Sequence, residues 1–125
     1  MGDNKDYMTL PEENGSINIS EEVIAAIAVG AVREVEGVSG MMTNLGNSVT
    51  DLMTNKKNAQ RVAKGVKIDM NEGSLTMDLY LTVQYGNPIP EVAENAQKAV
   101  ISAVEAMTGC TVSAVNIHVG AVTMG

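Results

Sequence analysis

The sequence predicts an α+β two-layer sandwich: a mixed or antiparallel sheet of about four strands with two main helices on one face. Three observations predict it. Residues 75–85 alternate apolar and polar side chains without a break. Residues 91–107 repeat apolar residues at helical spacing, and residues 21–36 form a second helical run rich in Ala, Val and Ile. Strand and helix segments follow one another closely enough for one sheet to carry both helices.

The polar, acidic start of the chain reads as a mobile tail over residues 1–14. A single domain follows over 15–122, with 123–125 as a C-terminal end; one domain is the default for 125 residues. Residues 16–19 alternate and form a short strand with Ile17 and Ile19 inward. Ser20 is a helix N-cap, Glu21 and Glu22 suit the positive helix end, and Ile19 and Ile24 are placed for a hydrophobic staple. The helix runs over 21–36 and stops at Gly37. Its middle, residues 23–32, has no polar side chain. Ile24, Ile27, Ala28, Ala31 and Val35 make one stripe that faces the sheet. Ala25, Val29 and Val32 lie off it and need cover of their own, either from the middle of the chain or from a second copy or another protein.

Residues 38–65 read mostly as loop, because Gly37, Gly40 and Gly46 punctuate them. Ser48-Val49-Thr50-Asp51 resembles a capping box, which places a short helix over 49–57. Five of the eight basic residues lie between Lys56 and Lys67: Lys56, Lys57, Arg61, Lys64 and Lys67. They form either a solvated charged loop or a docking patch for an acidic partner.

Residues 66–70 and 75–85 make a hairpin about the Asn71-Glu72-Gly73-Ser74 turn. Leu75, Met77, Leu79, Leu81, Val83 and Tyr85 face the core; Thr76, Asp78, Tyr80, Thr82 and Gln84 face water. Gly86 to Pro88 turn the chain, and Pro90 opens the second helix. Its apolar face is Val92, Ala96, Ala99, Val100, Ala103 and Met107. Glu94 and Lys98 pair at i,i+4, and Gly109 stops the helix. The last strand spans 111–122, with Val115, Ile117 and Val119 inward and Asn116 and His118 outward.

Composition excludes several functions. A net charge of −7 argues against nucleic-acid binding and against adsorption to anionic lipid. The single Cys110 rules out an internal disulfide, and after a helix C-terminus it reads as buried filler. No apolar run reaches the roughly 20 residues of a membrane span, and no start resembles a signal peptide, so a cytosolic protein without direct membrane insertion is expected. The core has nine Met, no Phe and no Trp, and the Met residues do not cluster at ligand spacing. No metal or cofactor is expected. His118 beside Asn116, Asp78 and Tyr80 offers acid–base chemistry, but no nucleophile motif or phosphate loop accompanies it. Tyr80 on a sheet face is the one feature of a single-stranded RNA binder.

The pieces together resemble the alkaline shock protein family, also called the Gls or general-stress family, of envelope stress proteins in Gram-positive bacteria. The segments that carry the resemblance are Gly15-Ser16-Ile17-Asn18-Ile19-Ser20, Glu34-Val35-Glu36-Gly37-Val38, Lys64-Gly65-Val66-Lys67-Ile68 and Val83-Gln84-Tyr85-Gly86 with Ile89-Pro90-Glu91-Val92. Met107-Thr108-Gly109 and Val112-Ser113-Ala114-Val115-Asn116-Ile117-His118-Val119 complete it. The resemblance implies a cytosolic, non-enzymatic protein that forms homo-oligomers, is held near the membrane by a membrane-anchored partner, and helps cells withstand envelope stress. Some relatives link instead to fatty-acid metabolism, which implies the alternative of a small regulator bound to a metabolic enzyme. The match is poorest over 41–63. The candidate interaction residues are Ala25, Val29, Val32, Lys56, Lys57, Arg61, Lys64, Tyr80, Asn116 and His118.

Overall fold

The strand Ser74–Gln84 organises the molecule. The computed structural model describes residues 7–42, 65–71 and 73–124. In chain order the elements are β1 (Tyr7–Glu12), β2 (Gly15–Ser20), α1 (Glu21–Arg33), β3 (Val38–Met41), β4 (Val66–Asn71), β5 (Ser74–Gln84), α2 (Ile89–Thr108) and β6 (Thr111–Thr123). One edge of β5 is shared end to end: β4 pairs antiparallel with its first half and β3 antiparallel with its second. The other edge is taken along its whole length by β6, which runs parallel. The sheet is therefore mixed. The α2 helix is the crossover that a parallel pair requires.

Both helices lie on one face of this sheet, beside each other. The side chains that β5 sends towards them, Leu75, Met77, Leu79, Leu81 and Val83, are all fully buried. Period-two alternation places Thr76, Asp78, Tyr80 and Thr82 on the other face, where each is part-exposed. The helix α1 contributes Ile24, Ala28 and Val32 to the core, and α2 contributes Val92, Ala96, Val100, Val104 and Thr108. Ser20 caps α1 as expected, its Oγ accepting from Val23 N at 3.2 Å. Gly109 closes α2 in the left-handed region at φ 77°.

Several expectations need correction. Residues 7–12 of the supposed tail form β1, which pairs antiparallel with β2 in a separate two-stranded sheet. Met8 is buried in the core, and Leu10 and Ile19 pack against it; these apolar side chains secure the hairpin. Residues 1–6 lie outside the described residues. The strand near residue 17 thus belongs to a hairpin rather than to the main sheet, and Ile17 is 50% exposed. The α1 helix stops at Arg33, and Glu34 is its C-cap. Residues 38–41, expected as loop, form β3, because backbone pairing to Val83, Thr82 and Leu81 overrides the local weakness of Gly40. Gly37 is needed where the chain leaves α1: it sits at φ 98°, and a Cβ there would meet Val92 Cγ2 at 2.7 Å.

Tyr85 is exposed rather than inward, because β5 ends at Gln84 and the turn swings Tyr85 out. On α2 the inner row runs in steps of four from Val92 to Thr108, so Val104 is buried and Met107 is exposed. The buried Thr108 needs partners. Its Oγ1 donates to Val104 O at 2.6 Å and accepts from Cys110 N at 3.0 Å. Cys110 is buried, as expected.

Candidate functional site

The face of the sheet turned away from the helices carries the polar chemistry. Three strands supply it. The parallel register sets Asp78 opposite Asn116 and Tyr80 opposite His118. His118 Nε2 lies 3.0 Å from Asp78 Oδ1, with the histidine side chain 45% and the aspartate 20% exposed. The rings of Tyr80 and His118 stack, centroids 4.5 Å apart and 15° from parallel. His118 is thus fixed twice, by a hydrogen bond at one ring nitrogen and by an aromatic ring against its face. Asn116 is exposed one pleat away on the same face.

A second group crosses the far end of this face. Thr123 Oγ1 donates to Ser39 Oγ at 2.9 Å, and Thr82 Oγ1 donates to Gly40 O at 3.3 Å. Ser39 Oγ, 2.9 Å from Thr82 Oγ1, is then the donor between them. The chain of hydroxyls joins β6, β5 and β3 and ends on a backbone carbonyl. Sequence reading missed it, because Ser39 was assigned to a loop and only the pairing of β3 brings it beside Thr82.

The backbone of Tyr80 holds residues on the edge shared by β3 and β4. Its carbonyl accepts from Met42 N and its N–H donates to Gly65 O, each at 2.8 Å. Met42 and Gly65 thus both sit beside Tyr80. The Met42 side chain reaches across to Gly120 and fills the space a Cβ would need there. The expected helix over 49–57 and the basic residues Lys56, Lys57, Arg61 and Lys64 lie outside the described residues. Lys67, on β4, is half-buried.

The three α1 candidates divide. Val32 is fully buried within the monomer, so it is core and not interaction surface. Ala25 and Val29 are part-exposed and pack against the core. The second helix lies beside α1. Exposed apolar side chains of α1 remain at Val23, 48% exposed.

Among the described residues no group of three His, Cys, Asp or Glu is placed to hold a metal ion. Among them, too, no helix is long and apolar enough to cross a membrane.

Residues 9–124 match the model of the alkaline shock protein 23 family, which has a cell envelope-related function. The chain belongs to that family. Its relatives in the family include the Bacillus subtilis protein YloU, 36% identical over 84% of this chain and 86% of YloU. Spy1535 of Streptococcus pyogenes serotype M6 is 40% identical over 84% of this chain and 77% of its own. YqhY of Bacillus subtilis is 33% identical over 84% of this chain and 75% of its own. All three are described as uncharacterized. Among solved structures, the MamM CTD aligns with a TM-score of 0.49 at 17% identity, covering 81% of this chain and 94% of that one. At that level the likeness transfers nothing about binding or assembly. The family's cell envelope role and its α+β fold agree with the resemblance read from the sequence.

Proposed function

We propose that this protein is a non-enzymatic interaction and scaffold protein of the cytosol that serves the cell envelope. A membrane-anchored protein holds it beside the membrane, and it acts in the response to envelope stress such as alkaline shock. The observation that carries the reading is the part-exposed sheet face turned away from the helices, on which Asp78 and Tyr80 hold His118 in one orientation. A rigid, part-exposed polar and aromatic patch on a sheet is suited to docking a protein surface, since its side chains lose little freedom on binding. Membership of a cell envelope family supports the setting.

Two features support a role without catalysis. The hydroxyls of Thr123, Ser39 and Thr82 end on the Gly40 carbonyl rather than on His118. The one thiol, Cys110, is buried. Lys56, Lys57, Arg61 and Lys64 supply a second docking element for an acidic partner, and Tyr80, Asn116 and His118 supply the first.

Co-sedimentation tests the reading. The purified protein is mixed with membranes of a Gram-positive cell, with the same membranes after protease treatment, and with protein-free vesicles of anionic lipid. Retention on untreated membranes alone is the expected result. Equal retention on protein-free vesicles would replace the protein partner with lipid. Retention on none of them would remove the membrane-side role. Reversing Lys56, Lys57 and Arg61 to Glu lowers retention and flattens its salt dependence if the basic segment takes part.

A further inference from the structure

The free edge of β6 is the feature that the proposed docking face does not use. Among the described residues β6 pairs only with β5, so its outer edge has no strand partner. Two side chains of α2 satisfy the start of that edge. Glu105 Oε2 accepts from Val112 N, and Gln97 Nε2 donates to Val115 O, each at 2.9 Å. The Val115 carbonyl therefore points outward. In a strand, a residue's N–H and C=O share one edge and the next residue's share the other. The ladder from Ala114 to Val119 has no register shift, so Ile117 and Val119 also direct their backbone groups to the free edge. Beyond Gln97, α2 supplies that edge with no further side-chain bond among the described residues.

Proteins usually protect such an edge with Lys, Pro or inward charges. This one has none. Every Asp, Glu, Lys and Arg of the chain precedes Ala106, and all three Pro residues precede Glu91. The strand is 13 residues long, and Val122 and Met124 at its end are 43% and 75% exposed. A chain of net charge −7 is repelled overall by its own copies. Past Val112, where Glu105 sits, the β6 edge carries no Asp, Glu, Lys or Arg, so a strand equally free of them meets it without opposing charges. A second β6 meets that condition.

We propose that two copies of this chain pair antiparallel along their β6 edges and make one continuous sheet across the dimer. This rests on the reading of the protein as a scaffold and names the surface through which it assembles. The register that uses both outward residues sets Ile117 opposite Val119 of the other copy, and the reverse, which forms four interchain hydrogen bonds. His118 then faces its counterpart in a non-hydrogen-bonded pair, with Cα atoms roughly 4.5 Å apart. Both docking faces lie on the same side of the joined sheet, so one dimer presents two His118 patches together.

The test uses the full chain in solution. Light scattering behind a sizing column reports a dimer for the unaltered protein. Val119→Pro removes only an outward N–H, because an edge position tolerates proline where its N–H faces away from the sheet. By symmetry it deletes two interchain bonds and weakens the dimer about 30-fold or more. Circular dichroism checks that the variant is folded. His118→Glu, a surface change that sets two carboxylates opposite each other, gives the same loss if the proline variant does not fold. Under mild oxidation His118→Cys forms a disulfide-linked dimer. Asn116→Cys does not, since its sulfurs sit about 13 Å apart along the paired strands, beyond disulfide reach.

A monomer at all concentrations, or a dimer unaffected by both Val119→Pro and His118→Glu, overturns the proposal. So does cross-linking at Asn116 in place of His118. A monomer still retained on membranes would refute the pairing and leave the proposed function standing. A dimer that ignores membranes would do the reverse. A monomer whose membrane retention is lost in Val119→Pro would assign the edge to the partner's strand, and would also overturn self-pairing.

Discussion

The two faces of β5 differ in what they hold together. On one, five consecutive alternate residues from Leu75 to Val83 are fully buried under two helices. On the other, Thr76, Asp78, Tyr80 and Thr82 are part-exposed; Asp78 and Thr82 are tied sideways to β6 and β3 by short polar contacts, and Tyr80 stacks on His118. The same backbone serves both, because side chains alternate across a strand. The first face carries stability through area removed from water. The second contributes little stability and keeps its groups oriented. The difference teaches that a mutation's effect here depends on residue parity along the strand.

The largest expected effect breaks the inner face. Leu79→Ala empties a fully buried site in the centre of the sheet and costs about 2–5 kcal/mol, read as a lowered denaturation midpoint. Thr108→Val comes next. It keeps the shape but removes the hydroxyl that serves both Val104 O and Cys110 N, and costs about 1–3 kcal/mol by the same measurement. Glu105→Ala follows at about 1–2 kcal/mol, since Val112 N loses a charged acceptor but lies close enough to the surface to find water. The smallest effect sharpens the comparison. His118→Ala costs under about 1 kcal/mol, because one part-exposed hydrogen bond and one ring stack are all it removes. Membrane retention of that variant falls nevertheless. Retention that tracked stability across all four variants would erase the distinction between the faces.

Much of this was legible in the sequence because β5 and α2 state their periods clearly. The strict alternation from Leu75 to Val83 fixed which face is core, and it set Tyr80 and His118 outward together. The failures have physical causes. Three-residue and four-residue spacings compete on a helix with many alanines, and Met107 was chosen where Val104 is buried. Short strands with polar or glycine residues have weak signals of their own. Both β1 and β3 exist through partners far away in the chain, or a hairpin turn apart, rather than through propensity. The hydroxyl chain through Ser39 followed β3 out of view. Val32 lies off the sheet-facing stripe in sequence, yet it is fully buried within the monomer, since nothing in a sequence says that a second helix lies beside the first.

One measurement bears most directly on the claim that the part-exposed sheet face serves docking. The folded double variant Tyr80→Ala with His118→Ala is compared with the unaltered protein for retention on the same untreated membranes, at matched denaturation midpoint. The account predicts that retention falls at least about 10-fold, the equivalent of roughly 1.4 kcal/mol of binding, while the fold persists. Equal retention by the two proteins would contradict it.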